Sequence, residues 1–188
     1  MTSLLLIGPP GAGKGTQAAM IAERYGIPHI STGAIFRENA AQATALGLEA
    51  QAYMDRGEYV PDSVTNSMVR QRLGEPDTAG GFLLDGYPRT LEQVGELDSI
   101  LADLGKTLDV VVKITADPQE VTKRLLDRAA KEGRADDTEE VITRRLEVYT
   151  EQTQPIIALY ESRGIVKKVD GMGSVEEVHE LIVAALGA

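Results

Sequence analysis

Residues 4–25 read Leu4-Leu5-Leu6-Ile7, then Gly8-Pro9-Pro10-Gly11-Ala12-Gly13-Lys14-Gly15-Thr16, then Gln17-Ala18-Ala19-Met20-Ile21-Ala22-Glu23-Arg24-Tyr25. That order reads as a buried strand, a glycine-rich turn and a helix. Glycines leave backbone N–H groups free to point at one anion, and the helix start adds its positive dipole end. Lys14 supplies a mobile cation where terminal phosphates would lie. The strict form of this loop wants Ser or Thr directly after the lysine. Here Gly15 stands there and Thr16 follows.

Working outward, Gly26 is a helix stop and Ile27-Pro28-His29-Ile30 a short second strand. Ser31-Thr32-Gly33 offers hydroxyl caps for a helix through Glu38, and residues 40–56 read as a second helix ending at Gly57. After the turn Glu58-Tyr59-Val60-Pro61-Asp62, Asp62 or Ser63 is expected to cap a helix from Val64 to Leu73. Phe82-Leu83-Leu84-Asp85 is a buried strand ending in a carboxylate, followed by the loop Gly86-Tyr87-Pro88-Arg89. Thr90 caps the next helix, with Gln93 at the capping-box position. Leu108 to Ile114 is a fourth strand, and Asp117-Pro118-Gln119-Glu120 starts a helix running toward Arg128. Lys131 to Asp137 is a polar break. One long helix is expected from Thr138 to about Ser162, bent at Pro155. Ile165 to Val169 is a fifth strand, and Ser174 with Glu177 caps the last helix. Strands alternating with helices predict an α/β fold with a five-stranded parallel sheet and helices on both faces. Ligands of such folds bind beyond the carboxyl ends of the strands.

The chain has 188 residues, 43% apolar and 26% charged, which suits one globular domain with a real core. It contains no apolar run long enough for a transmembrane helix and no basic leader before the first strand, so neither a membrane nor secretion is expected. The absence of cysteine excludes disulfides and cysteine-ligated metal sites and fits a cytoplasmic location. Two histidines are too few for a histidine-rich metal site. A formal net charge of −10 disfavours binding along a nucleic-acid backbone. A small polyanion can still bind where basic residues converge.

Two constellations suit that ligand. Asp85 at a strand end can hold Mg²⁺, directly or through water, beside phosphates on the glycine loop; alone, it could as well cap the turn at Gly86. The arginines form the second. Arg124 and Arg128, at i and i+4, share a helix face, whereas Arg144 and Arg145 point in opposite directions, so at most one faces a site. A single arginine is commonly a solvated surface charge. Arg37, Arg89, Arg124, Arg128, Arg134 and Arg145 around one cleft would instead fork onto phosphate oxygens.

These stretches together resemble the adenylate kinases. The similarity rests on Gly8 to Thr16, Ile30-Ser31-Thr32-Gly33, Phe82 to Thr90, Asp127-Arg128, and Arg134 through Arg145, in the family's order and over most of the chain. It accounts for Gly15, because the family's loop reads Gly-Lys-Gly-Thr. The resemblance implies the three-layer fold of P-loop nucleoside triphosphate hydrolases and the reaction ATP + AMP ⇌ 2 ADP with Mg²⁺. It implies that Gly11, Ala12, Gly13, Lys14, Gly15 and Thr16 hold the ATP phosphates, that Arg124 and Arg128 face ATP, and that the Gly173 backbone meets its adenine. Thr32, Arg37, Arg89 and Gln93 would hold AMP. The backbone of Glu58, Tyr59 and Val60 and the loop Gly86-Tyr87-Pro88 would surround it. Arg134 and Arg145 would bridge toward AMP and the transferring group. Lys14, Arg89, Arg128, Arg134 and Arg145 would be catalytic, and Asp85 would order Mg²⁺ through water.

Two departures stand out. Members often carry Asp after Ser-Thr-Gly; here it is Ala34. Only five residues separate Arg128 from Arg134, so the chain is similar to short-lid members, without the lid domain or its zinc site. The implied organisation is a core of 1–30, 61–126 and 136–188, a monophosphate-binding insertion of 31–60, and a short lid loop of 127–135, in a monomer. The alternatives are a kinase for CMP or UMP, against which Thr32 speaks, and a nucleotide-binding module without catalysis.

Overall fold

A computed structural model describes residues 2–132 and 138–187, apart from the side chain of Glu132. Five strands form one parallel sheet: β1 (Thr2–Ile7), β2 (His29–Ser31), β3 (Gly81–Asp85), β4 (Val110–Thr115) and β5 (Val166–Asp170), in the order β2-β3-β1-β4-β5. Nine α-helices are described: α1 (Lys14–Tyr25), α2 (Thr32–Ala41), α3 (Ala45–Met54), α4 (Asp62–Leu73), α5 (Leu91–Asp103), α6 (Pro118–Glu132), α7 (Glu139–Val148), α8 (Gln154–Ser162) and α9 (Val175–Leu186).

The period-2 alternation of β1 divides the core. Leu5 and Ile7, with Phe82 and Leu84 of β3, pack against α4, α5 and α8 through Val69, Leu97 and Ile157. Leu4 and Leu6, with Leu83 and Val112, pack on the other face against α1 and α9 through Ile21 and Ile182. Both sheet faces are therefore covered, as a parallel sheet requires. A smaller cluster built on Phe36, Ala50 and Val60 serves α2 and α3.

The structure adjusts several expected boundaries. α1 begins three residues earlier than its apolar pattern, because the loop feeds into it at Gly13. Residues 40–56 are not one helix. α2 runs to Ala41, the chain turns with Ala43 at positive φ, and Thr44 caps α3. A Cβ on Gly47 would lie 2.1 Å from the Asn39 backbone, so α3 touches α2 main chain to main chain. Asp62 and Ser63 do not cap α4; Pro61 precedes it without a side-chain bond. Gln93 does not close its box on Thr90; its side chain accepts from the Arg89 N–H instead. The long helix from Thr138 is broken by a π turn at Tyr149–Thr153, where the Gln154 N–H bonds the Tyr149 carbonyl. Pro155 lacks the N–H that a continuous helix needs there. α6 continues to Glu132, so the expected lid loop is helical over 127–132; 133–137, with Arg134, lie outside the described residues.

Candidate active site

The loop after β1 is shaped by its glycines. Gly11 and Gly13 have φ of 82° and 85°, which L side chains avoid, and a Cβ on Gly8 would lie 2.6 Å from the Ile114 carbonyl oxygen. Gly13 offers no side chain to cap α1. The first amides of α1 are thus left to face outward at the sheet's carboxyl edge. Lys14 folds over the loop, and its Nζ donates to the carbonyls of Gly8 and Pro9 at 2.8 and 3.0 Å. The residue as a whole is only partly covered, but its ammonium is enclosed by protein atoms. That enclosure pushes its pKa down to about 8, with Asp85 opposing and Arg89 and Arg128 reinforcing the shift.

Asp85 ends β3, the neighbour of β1, in register with Leu6 on one side and Ser31 on the other. Burial would raise its pKa, but His29, Lys14 and Arg89 hold the carboxyl below its usual value. His29 Nε2 lies 3.5 Å from Asp85 Oδ2, an ion-pair distance rather than a made hydrogen bond. A Cβ on Gly15 would come within 3.9 Å of that same oxygen and meet nothing else, so the lane between loop and carboxylate is open.

Across from the loop, Thr32 opens α2 and its hydroxyl donates to the Gly86 carbonyl at 2.9 Å. Gly86, at φ 84°, has no room for a Cβ between Thr32 Oγ1 and the Arg89 guanidinium. That guanidinium stacks on the Tyr59 ring at 4.8 Å. Tyr59 OH donates to Thr153 Oγ1 at 2.7 Å, and Thr153 donates onward to the Arg89 carbonyl at 2.9 Å. Gln93 accepts from the Arg89 N–H at 2.7 Å and donates to Asp62 at 2.6 Å. Beyond β4, Arg124 reaches the Gly171 carbonyl at 3.0 Å and pairs with Glu120.

One cleft of about 800 Å³ joins the two halves. Lys14, Arg37, Arg89, Arg124, Arg128 and Arg145 line it, against the carboxylates of Glu58 and Asp85 among the described residues. Glu58 is already paired with Arg144 at 2.9 Å, which leaves Asp85 as the carboxylate facing six cations. An acidic protein thus carries a positive cleft, suited to polyphosphate.

A model of the family described as Adenylate kinase matches residues 6–165. The adenylate kinase of Kocuria rhizophila is 62% identical over 186 residues, 99% of each chain. That of Nocardioides sp. is 60% identical over 183 residues, covering 97% of this chain and 96% of the relative. That of Thermobifida fusca is 54% identical over 183 residues, 97% of each.

The chain belongs to the adenylate kinase family.

Membership gives the family's motifs an address in three dimensions. Gly11 to Thr16, Thr32, Arg37, Glu58 to Val60, Asp85 to Arg89, Gln93, Arg124, Arg128, Arg145 and Gly173 all border the same cleft. Of the residues that the adenylate kinase resemblance singles out, Arg134 alone falls outside the described ones. Arg145 borders the cleft while Arg144 does not and pairs with Glu58 and Glu147, in line with their different helical directions. Ala34, where other adenylate kinases often have Asp, borders the cleft without a carboxylate, and its N–H is taken by Ser31 Oγ. His29 and Thr153 escaped the sequence reading. His29 had a usable signal, since it precedes Ser31 by one strand period at the end of β2. Thr153 had none, because the π turn shifts its phase.

Proposed function

We propose that the cleft transfers the terminal phosphoryl group of ATP to AMP, giving two ADP. The amides of residues 11–16 hold the ATP phosphates, with Arg124 and Arg128 beside them and Gly173 near the base. AMP lies among Thr32, Arg37, Gly86 to Arg89, Gln93 and the loop Glu58 to Val60. An AMP phosphate oxygen bonds the terminal phosphorus of ATP while the bond to the bridging oxygen breaks. The electron pair stays on the departing ADP. No side-chain nucleophile is needed; positioning and charge neutralisation carry the reaction. Lys14, Arg89, Arg128 and Arg145, with Arg134 beyond the described residues, supply the neutralising charge.

The observation that carries this reading is the single cleft with the amide cradle at one end, Thr32 and Arg89 at the other, and six cations, Arg89 and Lys14 among them, along its lining. A magnesium ion suits the donor set in one manner only. No group of three or more acidic or histidine side chains able to hold a metal occurs among the described residues. Asp85 is ionised and faces the open lane beside Gly15, so it would hold Mg²⁺ through water while the nucleotide provides the remaining oxygens. Such an ion would draw charge from the transferring group.

The reading divides the chain into the core, the 31–60 insertion, supported by its own apolar cluster, and a short lid over 127–135. It takes the protein as cytoplasmic, in keeping with its cysteine-free composition, and as a monomer. The test is ADP formation from ATP and each of AMP, GMP, CMP and UMP. AMP is expected to be preferred; turnover of CMP or UMP equal to that of AMP overturns the assignment. Light scattering checks the monomer.

A further inference from the structure

We infer that Asp62 sets the base preference of the monophosphate site by fixing which way the Gln93 amide faces. This rests on the reading of that half of the cleft as the AMP site. Asp62 lies at the start of α4, does not border the cleft, and does not cap its own helix. Both its oxygens are engaged elsewhere. Oδ1 accepts from Gln93 Nε2 at 2.6 Å, and Oδ2 accepts from the Thr90 hydroxyl at 2.9 Å. Thr90 Oγ1 in turn accepts from the Gln93 backbone N–H at 3.1 Å.

Gln93 is buried, at 2% exposure, and borders the cleft. Its two ends are identified by chemistry. Arg89 N–H can only donate, so the atom 2.7 Å from it is the amide oxygen. The ionised form of Asp62 can only accept, so the atom facing it is the amide nitrogen. A turned amide would set donor against donor at Arg89 and acceptor against acceptor at Asp62, with the amide itself buried away from water.

A primary amide offers two acceptor pairs and two donor hydrogens. One of each is spent on Arg89 and Asp62. One acceptor and one donor remain, in a fixed order. Their complement is a base edge with an exocyclic amino group beside an unprotonated ring nitrogen, which adenine has. Hypoxanthine presents a carbonyl beside an N–H, the reverse order, and would need the amide turned. An unlocked glutamine could turn and serve both. Asp62 is therefore a positioning residue that selects amino over oxo bases without touching them.

The experiment compares kcat/KM for AMP and inosine monophosphate, with ATP as donor, in the wild type, Asp62→Asn, Gln93→Ala and the double variant. Asp62→Asn keeps the size of the side chain, but its own amide can turn to match either face of Gln93. It is expected to lower the AMP-to-inosine-monophosphate ratio about tenfold, because one of the two contacts that orient Gln93 no longer has a fixed sign. In the Gln93→Ala background the same change should leave the ratio where it is. Asp62→Ala, checked for folding by circular dichroism, should relax the ratio in the same direction. Equal losses on both substrates, with the ratio unmoved, would mean a merely structural aspartate and overturn the inference. So would a ratio change that persists without Gln93. A wild type that fails to phosphorylate AMP would instead overturn the reaction assigned to the cleft, so the two failures are told apart.

Discussion

Lys14 is held in the free protein against a gradient. Its ammonium rests on the Gly8 and Pro9 carbonyls, yet burial lowers its pKa to about 8, from an ordinary value of 10.5. A lysine whose folded-state pKa lies below its unfolded value binds fewer protons when folded. Between those two values the unfolded chain holds the extra proton, so stability rises with pH across that window. Replacing Lys14 with Met removes the term. The stability difference between variant and wild type should therefore shift in the wild type's favour as pH rises from about 8 to 10.5, as thermal unfolding would show. Turnover should fall at least about 10²-fold in the same variant, because a cation aimed at the transferring charge is gone. Near-normal turnover would remove Lys14 from the mechanism. Asp85 is the counterweight: with Ala34 uncharged and Glu58 spent on Arg144, it is the carboxylate left to attract the proposed metal ion, which the cations alone would repel.

The insertion of α2 and α3 is fastened lightly to the helices opposite. The Glu58–Arg144 pair is about one-third exposed on both sides, so water screens it. Tyr59 to Thr153 adds one hydrogen bond between the same regions. Contacts this weak suit an element that must open to exchange nucleotide. Residues 31–60 are expected to move as a unit on the μs–ms scale when nucleotide binds, which relaxation dispersion would detect. Its absence with either nucleotide would contradict the moving insertion. At this scale the sequence was a good guide wherever one residue type has one physical job. The Gly13 turn, the Gly26 stop and the Ser174–Glu177 box all stand where local chemistry put them. It was a poor guide where tertiary partners compete for a polar side chain. Asp62 and Gln93 read as caps and instead hold each other, because burial rewards the stronger charged partner. It also failed where the helical phase slips. One extra residue at Tyr149–Thr153 rotates everything after it by about 100°, which no period of 3.6 anticipates, and this slip is what delivers Thr153 to Arg89.

Taken whole, the molecule is a sheet whose carboxyl edge carries one cleft, across which the proposed ATP and AMP sites would face one another. A compound joining two adenosines through five phosphates would span both. It is expected to raise the melting temperature well beyond ATP at the same concentration, by mass action on the folded state. A rise no larger than that from ATP alone would reject two adjoining sites. The sheet order has one more consequence. β1 leaves the ribosome before both of its sheet neighbours, β3 and β4, where Leu4 pairs with Leu83 and Val110. The phosphate cradle at the end of β1 therefore has no scaffold until Gly81–Asp85 and Val110–Thr115 have been made. It must wait for strands encoded far downstream, with its four apolar residues exposed in the meantime. Synthesis that stalls before Thr115 would release a chain that carries the complete phosphate-binding motif and cannot bind phosphate.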